Sequence, residues 1–91
     1  MYFVLSYDIK NDRRRVKVHD VLKNYGERVQ YSVFECDLSR KEFHKLREEL
    51  APFIDVEETD SLRIYRLCSE CRRKFEHIGG RIARDNTAII L

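Results

Sequence analysis

The sequence predicts an α+β fold in which an antiparallel sheet carries two helices on one of its faces. Runs rich in aromatic and β-branched residues, typical of strands, alternate with two segments whose apolar residues recur at helical spacing. Residues 1–91 are enough for a single domain, and no repeat, low-complexity tract or linker divides them. A domain of this size buries only about 60–65% of its unfolded surface, so its core is expected to be thin.

The first predicted element is a strand, because Tyr2 to Ile9 is rich in aromatic and β-branched residues and ends at the polar run Lys10-Asn11-Asp12. Asp8 lies near the carboxyl end of this strand. The two-residue period of a strand places Asp8 on the same face as Val4 and Ser6. That face is unusually polar, which favours a solvated or dimer-facing surface over a core.

A helix is predicted to follow this strand. Asn11 or Asp12 is placed to cap its first turn, and Gly26 is placed to end it in a left-handed conformation. Its apolar stripe consists of Val18, Val21, Leu22 and Tyr25.

The next segment, Arg28 to Leu38, alternates with the two-residue period of a strand. Two interpretations are open. Either this segment is one long strand that bends into a hairpin, or it is a single strand and Lys74 to Ile78 supplies the strand that completes the sheet.

A second helix is predicted to begin after Ser39. Ser39 and Glu42 form a capping box, in which each side chain satisfies a backbone amide of the first turn, and Leu38 can pack on Phe43. Phe43, Leu46 and Leu50 form its inward face, and Pro52 lies near its end.

Two more strands complete the prediction, Ser61 to Cys68 and the apolar terminal segment Ala88 to Leu91. This order fits a ferredoxin-like βαββαβ sandwich if one strand is short or irregular. Both helices then cover the same face of the sheet, and the other face is left uncovered. We therefore expect a homodimer, with the C-terminal strand adding to the sheet edge of the partner.

Charge is segregated along the chain although its net charge is only +2. Lys10 to Arg28 contains seven basic and three acidic residues, and Arg63 to Leu91 has the same balance. The intervening Glu35 to Asp60 contains nine acidic and four basic residues. Basic blocks of this kind favour an anionic partner such as nucleic acid.

The amino-terminal sequence lacks the basic start and apolar core of a signal peptide, and no apolar run is long enough to span a membrane. Three cysteines are an odd number, which argues against a disulfide framework and for reduced thiols. We expect a cytoplasmic protein with no membrane partner.

Asp8 and the arginines near the start of the first helix are the main candidates for function. Asp8 is interpreted either as a strand-end residue that starts a turn or as a Mg²⁺ ligand, which a dimer axis could supply twice. The run Arg13-Arg14-Arg15 is interpreted either as a solvated surface or as a phosphate-binding patch, because the helix dipole disfavours cations there. No base-reading motif accompanies it, so backbone recognition is expected.

The pair Cys68 and Cys71 has the spacing of a zinc or redox motif. Structural zinc needs four ligands, however, and Cys36 and His77 are distant in the sequence. The prediction is therefore two ordinary reduced cysteines near a strand end. His19 and His44 are expected to be surface residues.

Several segments closely resemble the CRISPR-associated protein 2 family, nearly from end to end. The most specific is Tyr25-Gly26-Glu27-Arg28-Val29-Gln30-Tyr31-Ser32-Val33-Phe34-Glu35-Cys36. The others are Tyr7-Asp8-Ile9, the basic start of the first helix, Asp60-Ser61-Leu62-Arg63-Ile64-Tyr65 and Glu76-His77-Ile78-Gly79.

This resemblance implies a ferredoxin-like homodimer that joins the CRISPR integrase during spacer acquisition and holds the duplex to be inserted. It also implies metal-dependent nuclease activity on RNA or double-stranded DNA, with Asp8 as the catalytic and metal-binding residue. The nucleic-acid-binding positions that it implies are Arg14, Arg15, Arg28 and Phe34.

Three functions remain open from the sequence: a non-catalytic DNA scaffold for the integrase, a stand-alone endoribonuclease that uses Asp8 and Mg²⁺, and a general nucleic-acid-binding module. The scaffold is favoured as the main role, because metal-dependent phosphodiester hydrolysis usually requires several carboxylates and each chain offers one at this site. The general module lacks the exposed aromatic stacking motif of that class.

Overall fold

The structure, a computed structural model, describes residues 1–79 and the backbone of residues 89–90. The strands are β1 (Tyr2–Asp8), β2 (Glu27–Gln30), β3 (Val33–Asp37), β4 (Ser61–Leu67), β5 (Glu76–His77) and β6 (Ile89–Ile90). The helices are α1 (Asp12–Lys23), α2 (Arg40–Leu50) and the short α3 (Ser69–Arg73), with 3₁₀ turns at Ala51–Phe53 and Val56–Glu58.

Four strands form an antiparallel sheet in the order β2-β3-β1-β4, which confirms the predicted α+β fold. Residues 28–38 form a hairpin, with a register irregularity between Arg28 and Gln30 and a turn at Tyr31 and Ser32. The first of the two interpretations is therefore confirmed. β5 lies outside this sheet and pairs in parallel with β6 of the same chain.

The predicted addition of residues 88–91 to a partner's sheet stays a prediction. Ile89 and Ile90 pair with β5 within this chain, and Ala88 and Leu91 lie outside the described residues.

The core lies between the sheet and the two long helices. Alternate residues of β1 are buried on that side, and Phe3 stacks on Phe43 of α2 with the ring centroids 4.1 Å apart. The helices contribute fully buried aliphatic side chains, Val18, Leu22, Leu46 and Leu50. This packing confirms the predicted apolar stripes at those positions.

Both predicted helix starts are confirmed. The Asn11 side chain accepts a hydrogen bond from the Arg14 backbone amide at 3.0 Å. Ser39 and Glu42 form the complete capping box, with bonds of 3.1 Å and 2.8 Å.

The prediction that Gly26 ends α1 in a left-handed conformation is wrong. The helix ends at Lys23 with Asn24 in the right-handed region, and the φ angle of Gly26 is not positive. A Cβ atom at position 26 would instead collide with the Glu35 carbonyl oxygen and the Cys36 sulfur. Glycine is required here because β3 passes too close for a side chain.

The sheet face opposite the long helices carries the side chains of Val4, Ser6 and Asp8. Their partners on β4 are Tyr65, Arg63 and Ser61, respectively. Tyr65 is 51% exposed, and the Asp8 side chain is 67% exposed. At the other end of this face, the Arg72 guanidinium of α3 lies 4.1 Å from the centroid of the Tyr2 ring.

In the part of the chain that the structure describes, no helix combines the length and the apolar character needed to cross a membrane.

Candidate nucleic-acid interface

Asp8 projects from the last position of β1, where the open sheet face ends. Its carboxylate is exposed and accepts a hydrogen bond from Lys10 Nζ at 3.1 Å. The strand-end position predicted from the sequence is confirmed.

In the described part of the chain, Asp8 is not one of three or more clustered side chains that could hold a metal ion. Among the described residues no group of three or more histidine, cysteine, aspartate or glutamate side chains could hold an ion. Mg²⁺ binds through one or two carboxylates together with water and phosphate oxygens, so a single Asp8 fits that ion only as part of a larger donor set. A second copy of the chain and a bound phosphodiester could complete such a set.

Arg14, a predicted phosphate ligand, is bound to a carboxylate of its own chain. Its Nε donates to Asp60 Oδ2 at 3.0 Å, and its Nη2 lies 2.9 Å from the same oxygen. The Asp60 side chain is fully buried. Moving Arg14 to a phosphate would leave a buried negative charge without its partner, so the pairing gives Arg14 a structural role, and its predicted contact with phosphate stays a prediction.

Arg15 follows Arg14 in the first turn of α1. Its guanidinium donates to the Ile9 carbonyl oxygen at 3.1 Å and also pairs with Asp12, which raises the pKa of Arg15. The side chain is 32% exposed. Asp12 itself is 90% exposed, so Arg15 remains accessible to an anion from solvent.

Arg28 and Arg15 line one shared cavity of about 190 Å³ at the sheet edge, together with Tyr7, Val16, His19 and Tyr31. Arg28 is exposed, and no carboxylate of residues 1–79 forms an ion pair with it. Burial raises the pKa of the Tyr7 hydroxyl, while the positive charge of Arg28 acts in the opposite direction. The cavity therefore joins two cations to aromatic surface.

The sequence did not indicate Tyr31 and His19 as part of this site. Tyr31 lies in the turn between β2 and β3 and is 74% exposed. His19 packs edge-on against Phe34 with ring centroids 5.5 Å apart, so it is only partly a surface residue. Tyr31 could have been suspected from a hairpin turn three residues after Arg28, because a turn exposes its side chains.

Phe34 is fully buried in the single chain, and its predicted contact with nucleic acid stays a prediction. It pairs with Arg28 across the hairpin and packs beneath Tyr7, with ring centroids 6.4 Å apart. Alternation along β3 turns Phe34 towards the helices. It therefore contacts two of the residues that line the cavity, Tyr7 and His19.

Cys68 and Cys71 lie outside this cavity, at the start of α3. Both are exposed and unpaired by disulfides, as predicted, whereas Cys36 is buried.

Comparison with known proteins shows which family the chain resembles. The family model described as CRISPR associated protein Cas2 matches residues 1–75. A relative from Chloroflexus aurantiacus, "CRISPR-associated endoribonuclease Cas2 1", is 51% identical over 79 residues, which cover 87% of this chain and 85% of that protein.

Two solved structures share the fold. Streptococcus pyogenes Cas2 is 36% identical with a TM-score of 0.73, and the match covers 87% of this chain and all of that one. A chain in a structure described as a partial Cas6-RT-Cas1--Cas2 complex is 27% identical with a TM-score of 0.67, and the match covers 79% of this chain and 83% of that one. From the family match, the sequence identity and the shared sheet, the chain belongs to the CRISPR-associated Cas2 family.

Proposed function

We propose that this protein is a CRISPR adaptation protein that acts as a homodimeric nucleic-acid-binding scaffold for the integrase during spacer acquisition. Mg²⁺-dependent endonuclease activity at Asp8, on RNA or double-stranded DNA, is a secondary property in this proposal. One observation supports the scaffold as the main role. Arg15 and Arg28 share a cavity at the sheet edge, whereas Asp8, at the end of the open face, has no cluster of metal-ligating side chains around it among the described residues.

The open face supports the homodimer. It presents the half-buried Val4 and Val33 and the exposed Tyr65, with Ser6 and Arg63 beside them. Apolar and aromatic surface surrounded by polar groups is typical of protein interfaces. A second copy on this face would bury Tyr65 and bring two Asp8 side chains towards one axis.

The basic edge supports nucleic-acid binding. Arg28 has no described acidic partner, Arg15 is partly accessible, and Arg13 and Lys17 are exposed on the same helix. Arginine binds phosphate through paired N–H donors, and contacts of this kind read the backbone rather than the base sequence. Duplex DNA or RNA would therefore bind without marked sequence preference.

The integrase is proposed as the partner because one structural relative lies in a structure described as a Cas1--Cas2 complex. A scaffold needs a surface for nucleic acid and a surface for protein, and it needs no complete catalytic site.

Asp8 is the residue that would hold Mg²⁺, shared across the dimer axis. The ion would supply Lewis-acid activation of a phosphodiester. Asp8 contributes negative charge at an exposed strand end, and Lys10 keeps that carboxylate oriented through the 3.1 Å bond.

A stand-alone endoribonuclease is the second candidate. The exposure of Asp8 and the word endoribonuclease in the name of the Chloroflexus relative favour it.

One variant, Asp8→Asn, separates the two candidates, because it keeps the shape of the side chain and removes its charge. We expect it to abolish Mg²⁺-dependent cleavage while dimerisation, DNA binding and integrase-dependent spacer acquisition persist. Asp20→Asn, which also removes an exposed carboxylate, is the matched control and should leave cleavage unchanged. Loss of acquisition by a folded, DNA-binding Asp8→Asn protein would contradict the scaffold and favour the nuclease.

A further inference from the structure

A second cleft lies at the end of the sheet opposite Asp8, separated from it by the length of β1, roughly 20 Å. It has a volume of about 680 Å³ and lies between the amino terminus, the end of β4 and the first turn of α3. Cys68 forms part of its wall. The described residues that line this cleft include neither Asp8 nor any residue of the cavity that Arg15 and Arg28 share.

The cleft is strongly cationic. Among the described residues, its lining includes Met1, Arg66, Arg72 and Arg73, and Asp37 is the one carboxylate there. Asp37 is already paired, with Arg72 at 3.2 Å and with the terminal amino group at 3.5 Å. Arg66 and Arg73 are exposed, and no carboxylate of residues 1–79 forms an ion pair with either. The nearby Glu70 pairs with Lys74 at 3.3 Å.

The two cysteines beside this cleft are linked by a hydrogen bond. Cys68 caps α3, and its sulfur accepts a hydrogen bond from the Cys71 backbone amide at 3.3 Å. Residues one helical turn apart have Cα atoms about 5–6 Å apart, which is within the range that a disulfide spans.

We propose that Cys68 and Cys71 form a reversible redox site that undergoes thiol–disulfide exchange with an anionic, carboxylate-bearing low-molecular-weight disulfide bound in the arginine-lined cleft. The Cys68 thiolate attacks one sulfur of that disulfide, and a mixed disulfide forms as the first thiolate leaves. Cys71, after losing its proton, attacks the Cys68 sulfur, and the second thiolate leaves. The protein dithiol is oxidised to an intrachain disulfide, and one small disulfide is reduced to two thiols.

The order of attack follows from the surroundings of each sulfur. The backbone hydrogen bond from Cys71 lowers the pKa of Cys68, whereas the hydrogen bond to Cys68 raises the pKa of Cys71. Burial raises the pKa of Cys36 to about 12. Since the thiolate is the nucleophile, Cys68 attacks first, Cys71 resolves the intermediate, and Cys36 stays unreactive.

The test compares an anionic probe, glutathione disulfide, with a cationic one, cystamine, on the full chain at low salt. Reaction with glutathione disulfide should produce a protein two hydrogen atoms lighter, in which only Cys36 can be alkylated after unfolding. Cys71→Ser should accumulate glutathione as a mixed disulfide on Cys68, and Cys68→Ser should accumulate neither product. Thermal melts of both variants should match that of the wild-type protein, because both residues are exposed.

The charge of the cleft predicts that glutathione disulfide reacts at least about tenfold faster than cystamine, and that added salt reduces this preference. The double variant Arg66→Gln/Arg73→Gln should lose the preference while its reaction with cystamine does not slow. The matched control is Arg40→Gln/Lys45→Gln, on exposed positions of α2, which should keep the preference. Equal or faster reaction with cystamine in the wild-type protein, or oxidation that spares Cys68 and Cys71, would overturn the proposal.

Discussion

Arg14 Nε donates a hydrogen bond to Asp60 Oδ2 at 3.0 Å, across 46 positions of sequence. The same carboxylate accepts backbone hydrogen bonds from Lys10 and Asp55, each at 2.9 Å. These bonds tie the segment after β1 to the loop before β4. Asp60 thereby fixes the chain two residues beyond Asp8, at the edge of the open sheet face.

The first prediction concerns acid stability. Burial acts to raise the pKa of Asp60, but the hydrogen bonds from Lys10, Asp55 and Arg14 outweigh it and hold the pKa below its usual value. A lowered pKa contributes stability above the ordinary aspartate value of about 3.9, and this contribution is lost as the pH falls through the folded-state pKa. The urea midpoint of the wild-type protein should therefore fall as the pH is lowered below about 4.

Asp60→Asn should lower the urea midpoint at pH 7, because it leaves the Arg14 guanidinium without its charge partner, and it should flatten the pH dependence. Asp20→Asn removes an exposed carboxylate with no comparable network and is the matched control. An Asp60→Asn protein whose midpoint follows pH as steeply as the wild-type midpoint would refute the assignment.

The second prediction concerns Gly26. Gly26→Ala should lower the free energy of unfolding by about 1–3 kcal/mol, because its Cβ would overlap the Glu35 carbonyl oxygen and the Cys36 sulfur. Ser39→Ala, which removes only the capping hydrogen bond, should lower the free energy of unfolding by about 1 kcal/mol and serves as the reference variant. Urea denaturation measures both. A stabilising Gly26→Ala would contradict the close approach of β3.

The third prediction concerns the proposed dimer. Tyr65→Asp places a charge on the open face, on the edge strand β4, and should raise the dimer dissociation constant at least about tenfold, because buried aromatic residues dominate interface energies. Sedimentation should show the mass falling from about twice the 11.0 kDa monomer towards one monomer. Val56→Asp, at a 76% exposed position in a 3₁₀ turn, is the control. Tyr65→Asp and Val56→Asp proteins of equal mass would argue against this interface.

Local sequence signals predicted the elements, while long-range pairings decided the site. The Ser39 capping box and the Asn11 cap act within one helical turn, so both were visible in the sequence. The Arg14–Asp60 pair was not, because no local pattern links positions 46 apart. Gly26 was assigned to a helix end from its position after the apolar stripe of α1. Its true constraint is the close passage of β3, which is a long-range contact and leaves no local signal.

The hairpin illustrates the same limit for the interface. Alternation predicted a strand through Phe34, but the face on which Phe34 and Arg28 lie depends on pairing with β1 and on the turn at Tyr31. Only the folded sheet buries Phe34 and brings Arg28 to the cavity that Arg15 lines. The short helix α3 escaped prediction because five residues carry little periodic signal.

The salt dependence of duplex DNA affinity tests the scaffold most directly. Each phosphate contact that Arg15 or Arg28 makes should contribute about 0.9 to the slope of log affinity against log salt concentration. The double variant Arg15→Gln/Arg28→Gln should therefore bind every sequence more weakly and show a flatter slope, whereas the control Arg40→Gln/Lys45→Gln keeps the wild-type slope. An unchanged slope in a folded, dimeric Arg15→Gln/Arg28→Gln protein would contradict the account, because nucleic acid would then bind elsewhere.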